Sequence, residues 1–77
     1  MTLESFINEL KNIDECRLQY LTKVYFMSSN FKIILRLLYI DDIKIVEDYL
    51  NIELNDGRVF YLRISEDLEY WSKESLI

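Results

Sequence analysis

Gly57 is the only glycine in a chain of 77 residues that has no proline, so a left-handed turn is inexpensive at one position only. It closes Asn55-Asp56-Gly57, which fits a three-residue hairpin loop, a type I turn followed by Gly in the left-handed region. That loop sets Leu54 opposite Arg58, Ile52 opposite Phe60 and Leu50 opposite Leu62. A two-residue Asp56-Gly57 loop would instead set Glu53 opposite Phe60 and Asn51 opposite Leu62. A slip of one residue turns every side chain to the other face, so the three-residue loop is the one that keeps apolar with apolar.

Before residue 17 the pattern is different. Leu3, Phe6, Ile7 and Leu10 fall at helical spacing, and Thr2 is a suitable N-cap with Glu4 in the first turn. A helix is expected over 2–13. From Arg17 the period shortens to two. Leu18, Tyr20, Val24 and Phe26 alternate with Arg17, Gln19, Lys23 and Tyr25, which reads as a strand. A helix over 13–28 is the competing reading, because Ile13, Cys16, Tyr20, Val24 and Met27 also suit that period. Further strands are expected over 31–40, 43–54 and 58–64. A turn at Ser29-Asn30 sets Phe26 opposite Ile33 and Val24 opposite Leu35. A turn at Asp41-Asp42 sets Leu37 opposite Val46. Ser65 is a good N-cap before Glu66 and Asp67, so a short helix is expected over 66–75, with Trp71 sealing the core. The expected fold is α+β in one domain, 1–77: N-terminal helix, four-stranded antiparallel meander, short C-terminal helix.

On this register a second sheet face carries Ile34, Leu38, Ile40, Ile43, Ile45, Tyr49, Val59 and Tyr61, with Arg36 opposite Glu47. It is too apolar to stay bare. Either the last helix covers it, or it is an interface centred on Ile34, Leu38, Ile45, Tyr49 and Tyr61.

The chain has 14 acids, 9 bases and no histidine, for a net charge of −5. Residues 1–36 carry a balance of +1 and residues 37–77 a balance of −6. Asp41, Asp42, Glu47, Asp48, Glu53 and Asp56 crowd a stretch that holds one base, Lys44. A net-acidic surface repels phosphate, so direct nucleic-acid binding is not expected. It can engage a basic protein surface instead, helped by steering.

Catalysis is disfavoured by composition. Histidine is the usual general base near neutral pH and the commonest metal ligand. The lone Cys16 has no base to activate it, and a buried or half-buried structural thiol is expected. A single glycine leaves no phosphate-cradling loop. Tyr39-Ile40-Asp41-Asp42 is similar to the Tyr-x-Asp-Asp box of reverse transcriptases, whose paired aspartates sit at a hairpin tip and hold two metal ions. A polymerase needs a much larger palm and a third carboxylate, so the similarity implies only a hairpin. No metal, cofactor or catalytic residue is expected.

The longest apolar runs are four residues, too short for a membrane span, and the N-terminus lacks the pattern of a signal peptide. A cytoplasmic protein is expected, acting in its own cell or in a host's cytoplasm. The absence of alanine and the abundance of Ile, Asn, Lys and Tyr fit an AT-rich genome, bacterial or that of a phage or mobile element. In size and charge the chain resembles the small acidic inhibitors that phages and mobile elements make against defence enzymes. The expected function is therefore non-catalytic: occlusion of a nucleic-acid-binding host enzyme, in the manner of anti-CRISPR or anti-restriction proteins. The alternatives are a homodimeric accessory protein and an immunity protein or antitoxin.

Overall fold

A computed structural model describes residues 1–76. The chain is α+β, with α1 (Leu3–Lys11), α2 (Cys16–Leu21), β1 (Thr22–Met27), β2 (Lys32–Arg36), a 3-10 turn (Leu37–Tyr39), β3 (Ile40–Val46), β4 (Tyr49–Leu54), β5 (Val59–Arg63), α3 (Ile64–Asp67) and β6 (Tyr70–Ser75). The strands form two antiparallel sheets of three, ordered β2-β1-β6 and β3-β4-β5.

The N-terminal helix forms as its pattern predicts. Thr2 Oγ1 accepts the Ser5 amide at 3.1 Å, and Leu3, Phe6, Ile7 and Leu10 are buried. Two hairpins also have the expected register. Phe26 faces Ile33 and Val24 faces Leu35 across the Ser29-Asn30 loop. Ile52 faces Phe60 and Leu50 faces Leu62 across the three-residue loop, which the Leu54 amide closes on the Arg58 carbonyl at 2.8 Å.

The four-stranded meander does not form. Its expected first strand is half helix: residues 16–21 wind into α2, and the ladder begins only at Thr22. Asp41-Asp42 is not a turn but lies within β3, beside an irregularity between Ile40 and Asp42. The segment before it leaves the first sheet through the 3-10 turn and enters the second. The expected long strand over 43–54 is instead two strands, folded back at Glu47-Asp48 so that Val46 faces Tyr49. The C-terminal helix over 66–75 shrinks to the four residues of α3, without a Ser65 cap. Residues 70–75 form β6, which pairs along β1 with Phe26 opposite Trp71. Arg36 lies opposite Lys23, not Glu47.

The core lies between the sheets. Val24 and Phe26 enter it from one sheet, and Ile43, Leu50, Ile52, Leu54 and Leu62 from the other. α1 closes one side: the Phe6 ring meets Phe26 edge-on, with centroids 6.2 Å apart. Its exposed flank reaches both sheets, through Glu9–Lys73 at 2.7 Å and Lys11–Asp42 at 3.6 Å. Trp71 packs against this core, but from a strand. Cys16 is exposed, contrary to the buried thiol expected, because it opens the solvent-facing first turn of α2. No helix among the described residues is long and apolar enough to cross a membrane.

Candidate functional site

Strand alternation divides the β3-β4-β5 sheet cleanly. Ile43, Leu50, Ile52 and Leu62 point inward. The intervening residues line an outer face on which no element among the described residues packs: Asp42, Glu53 and Val59 in one cross-strand row, Lys44, Asn51 and Tyr61 in the next, Val46, Tyr49 and Arg63 in the last. Val46, Tyr49, Val59 and Tyr61 are 37 to 64% exposed and lie on adjoining strands. Asn51 stands at the centre, on the middle strand, and its buried side-chain oxygen has no hydrogen-bond partner.

This face unites residues from both candidate sets. Tyr49 and Tyr61, expected in a second-face interface, share it with the acidic Asp42 and Glu53. The other second-face residues fall elsewhere. Ile34 is on the opposite sheet, Leu38 is in the 3-10 turn, and Ile45 faces Leu50 and Leu62 on the inner side, near the sheet edge. Those five residues therefore do not make one surface. The sequence register missed this because it placed the turn at Asp41-Asp42, six residues before the β3–β4 loop.

The six acids of the 41–56 stretch are dispersed too. Glu47 and Asp48 form the β3–β4 loop, while Asp56 sits in the β4–β5 loop at the other end of β4, roughly 20 Å away at about 3.3 Å per residue. Most are also engaged. Lys44 lies 3.8 Å from Asp42 and 3.7 Å from Glu53. Asp48 lies 3.5 Å from Arg63 and accepts the Ser65 hydroxyl at 2.7 Å. Asp56 accepts the Arg58 amide at 3.0 Å and its guanidinium at 2.7 Å. That amide bond is the main reason the Asp56 carboxyl is held below the ordinary carboxylate range, with the guanidinium adding to it. A lowered carboxylate stabilises the fold above its unfolded value, so this contact is lost only as pH falls through the lowered value. These are exposed pairs and contribute little each. They matter here because they leave only Asp41 and Glu47 of the six without an ion pair among the described residues.

Among the described residues no three His, Cys, Asp or Glu side chains converge as metal ligands. The arrangement can contact another macromolecule: a tyrosine-rich apolar strip with charges of both signs around it and one acid at its tip. Sequence reasoning placed Val59 and Arg63 on one face with Tyr49 and Tyr61, as here, but missed Val46 and Asn51. The alternation of 49–54 signals the Asn51 position once the turn is placed at 47–48. No protein-family model, curated protein or solved structure matches this chain.

Proposed function

We propose that this chain is a non-catalytic protein-binding domain that contacts its partner through the outer face of β3-β4-β5. One observation carries the reading: Val46, Tyr49, Val59 and Tyr61 are exposed side by side on an uncovered sheet face. Tyrosine is enriched where interfaces draw their binding energy, and a charged rim around an apolar centre is the usual interface anatomy. The chemistry that fits is an apolar surface bordered by Lys or Arg, which would meet the unpaired Glu47 beside Val46. The acid surplus of residues 37–77 favours encounter with a basic protein. On this reading the chain inhibits by occlusion, and a host enzyme that handles nucleic acid is the preferred target, met in the cytoplasm by a phage or mobile-element product.

A homodimer is the second reading. Lys44 and Arg63 share the face with Asp42 and Glu53, so two copies related by a two-fold axis could satisfy both signs.

The test is capture from a bacterial lysate with the tagged wild type and with Tyr61→Lys, alongside thermal unfolding of each. Tyr61 is largely exposed, so the substitution should leave stability within about 0.5 kcal/mol. The expected result is a protein retained by the wild type, released by salt and weakened about 30-fold or more by the substitution. Identical recovery with both would sink the reading. A wild-type mass of two chains that Tyr61→Lys halves would select the homodimer.

A further inference from the structure

Five of the nine cationic side chains have an acidic partner within 4 Å: Lys11, Lys44, Arg58, Arg63 and Lys73. The other four, Arg17, Lys23, Lys32 and Arg36, have none among the described residues, although the chain holds 14 acids. Three of these four lie on one surface, the outer face of β2-β1-β6.

The ladder pairings define that face as three rows. Arg36, Lys23 and Glu74 form the first, Ile34, Tyr25 and Ser72 the second, Lys32, Met27 and Tyr70 the third. Lys23 and Arg36 are directly opposite one another, and like charges so placed repel. Glu74, the single acid, accepts the Tyr25 hydroxyl at 2.8 Å and makes no ion pair with Lys23. That hydrogen bond is the main reason the Tyr25 hydroxyl is pushed above its ordinary value. A tyrosine ring accompanies two of the cations. Lys32 lies over Tyr25 at 6.0 Å, and Arg36 lies over Tyr20 at 4.8 Å while donating to the Tyr20 carbonyl. Tyr20 and Tyr70 are about half exposed.

We propose that the outer face of β2-β1-β6 is a binding site for single-stranded nucleic acid. An anion set between Lys23 and Arg36 turns their repulsion into attraction. A second anion meets Lys32, roughly 13 Å further along the strand direction at about 3.3 Å per residue. A single strand supplies a planar base with every phosphate, and the face offers rings between its cations. An acidic peptide would match the charge but has nothing to stack on Tyr20 and Tyr70. The net charge of −5 works against phosphate binding, but the acid surplus belongs to residues 37–77. Of those acids, Glu74 is on the face and is occupied by Tyr25, and Glu69 stands at its end beside Ser29. The screening length of about 8 Å at physiological salt is short against the thinnest dimension of the molecule, 21 Å. The two outer faces therefore act as separate electrostatic surfaces, and this site is independent of the one proposed on β3-β4-β5.

The experiment is fluorescence anisotropy with a short labelled oligonucleotide of mixed sequence, as DNA and as RNA, across a salt series. We expect saturable binding whose logarithm falls against that of salt with a slope of roughly −1.4, for two phosphates neutralised. The Lys23→Gln/Lys32→Gln double variant should reduce that slope to roughly −0.7 and weaken binding at low salt by about tenfold or more. Tyr70→Ala should cost at least about fivefold through lost stacking. Arg36 is left in place because it holds α2 through Tyr20, and thermal unfolding checks that each variant is folded. Lys44→Gln, on the other sheet, should change nothing. Three results would overturn the proposal: no saturable binding of either strand at ~50 mM salt, equal weakening by Lys44→Gln, or displacement by polyglutamate as effective as by unlabelled oligonucleotide with no effect of Tyr70→Ala. The last would reassign the face to an acidic protein.

Discussion

Glu47 occupies the first central position of a two-residue hairpin loop with φ at 55°, where glycine is the favoured residue. A side chain in the left-handed region costs about 1–2 kcal/mol, and glycine would return part of that as extra freedom in the unfolded chain. Glu47→Gly should therefore stabilise the fold by about 0.5–1 kcal/mol and raise Tm by roughly 3–6 °C in a scanning calorimeter. A decrease would show that the Glu47 side chain stabilises the loop by more than its backbone costs. Strain retained at an unpaired charge is a common signature of function, and here it lies at the tip of the proposed contact face. The same residue explains why this hairpin was illegible. Asn55-Asp56-Gly57 announces its loop by composition, and its register was read correctly down to Leu50 opposite Leu62. Glu47-Asp48 carries no turn chemistry, whereas Asp41-Asp42 does, and the turn was assigned to the wrong pair. With it went the face on which Ile45 and Tyr61 were placed together.

Elements show the same division between local and long-range causes. α1 was legible because four apolar residues, a cap and a first-turn acid agree within eleven residues. α2 and β6 were not. The 17–26 alternation is real from Thr22 on, but the six residues before it close a helix that Gln19 ties to the Ile13 carbonyl at 2.8 Å. In 66–76 the spacing of Leu68, Trp71 and Ser75 suits a helix rather than a strand. What decides is β1, whose second edge would otherwise be unpaired, and no local pattern reports that vacancy. Trp71 is the side chain through which β6 enters the core, so it measures what the strand adds. Trp71→Ala should destabilise by about 3 kcal/mol, a large part of the total for a domain this small. Urea unfolding should show the midpoint falling with the slope unchanged. A loss below about 1 kcal/mol would mean that backbone pairing, not Trp71, holds β6 in place.

At the scale of the whole molecule, two sheets of three strands enclose one apolar cluster, and neither sheet can bury its inner face alone. The radius of gyration is 11.8 Å, against roughly 11.5 Å for a compact chain of this length, so the sheets are drawn together rather than splayed. Two short backbone segments connect them: α3, which leads from β5 to β6, and the 3-10 turn at Leu37–Tyr39, braced where the Asn55 side chain donates to the Leu38 carbonyl at 2.8 Å and its amide to the Tyr39 carbonyl at 3.0 Å. α1 supplies the rest. It contributes Leu3, Phe6, Ile7 and Leu10, four of the thirteen core side chains, and reaches one sheet through Phe6 and Glu9 and the other through Lys11. The two ion pairs are exposed and add little, so the apolar residues must carry the coupling. Burying such a side chain contributes about 1.5–3 kcal/mol, and four together, at about 6–12 kcal/mol, match the whole net stability to be expected of 77 residues. A chain lacking residues 1–12 should therefore show no cooperative thermal transition by circular dichroism, although every strand is present. A cooperative transition in that truncated chain would show that the sheets close on each other without the helix. The two outer faces would then be held in register by the strands alone, and α1 would be free to move without disturbing either proposed site.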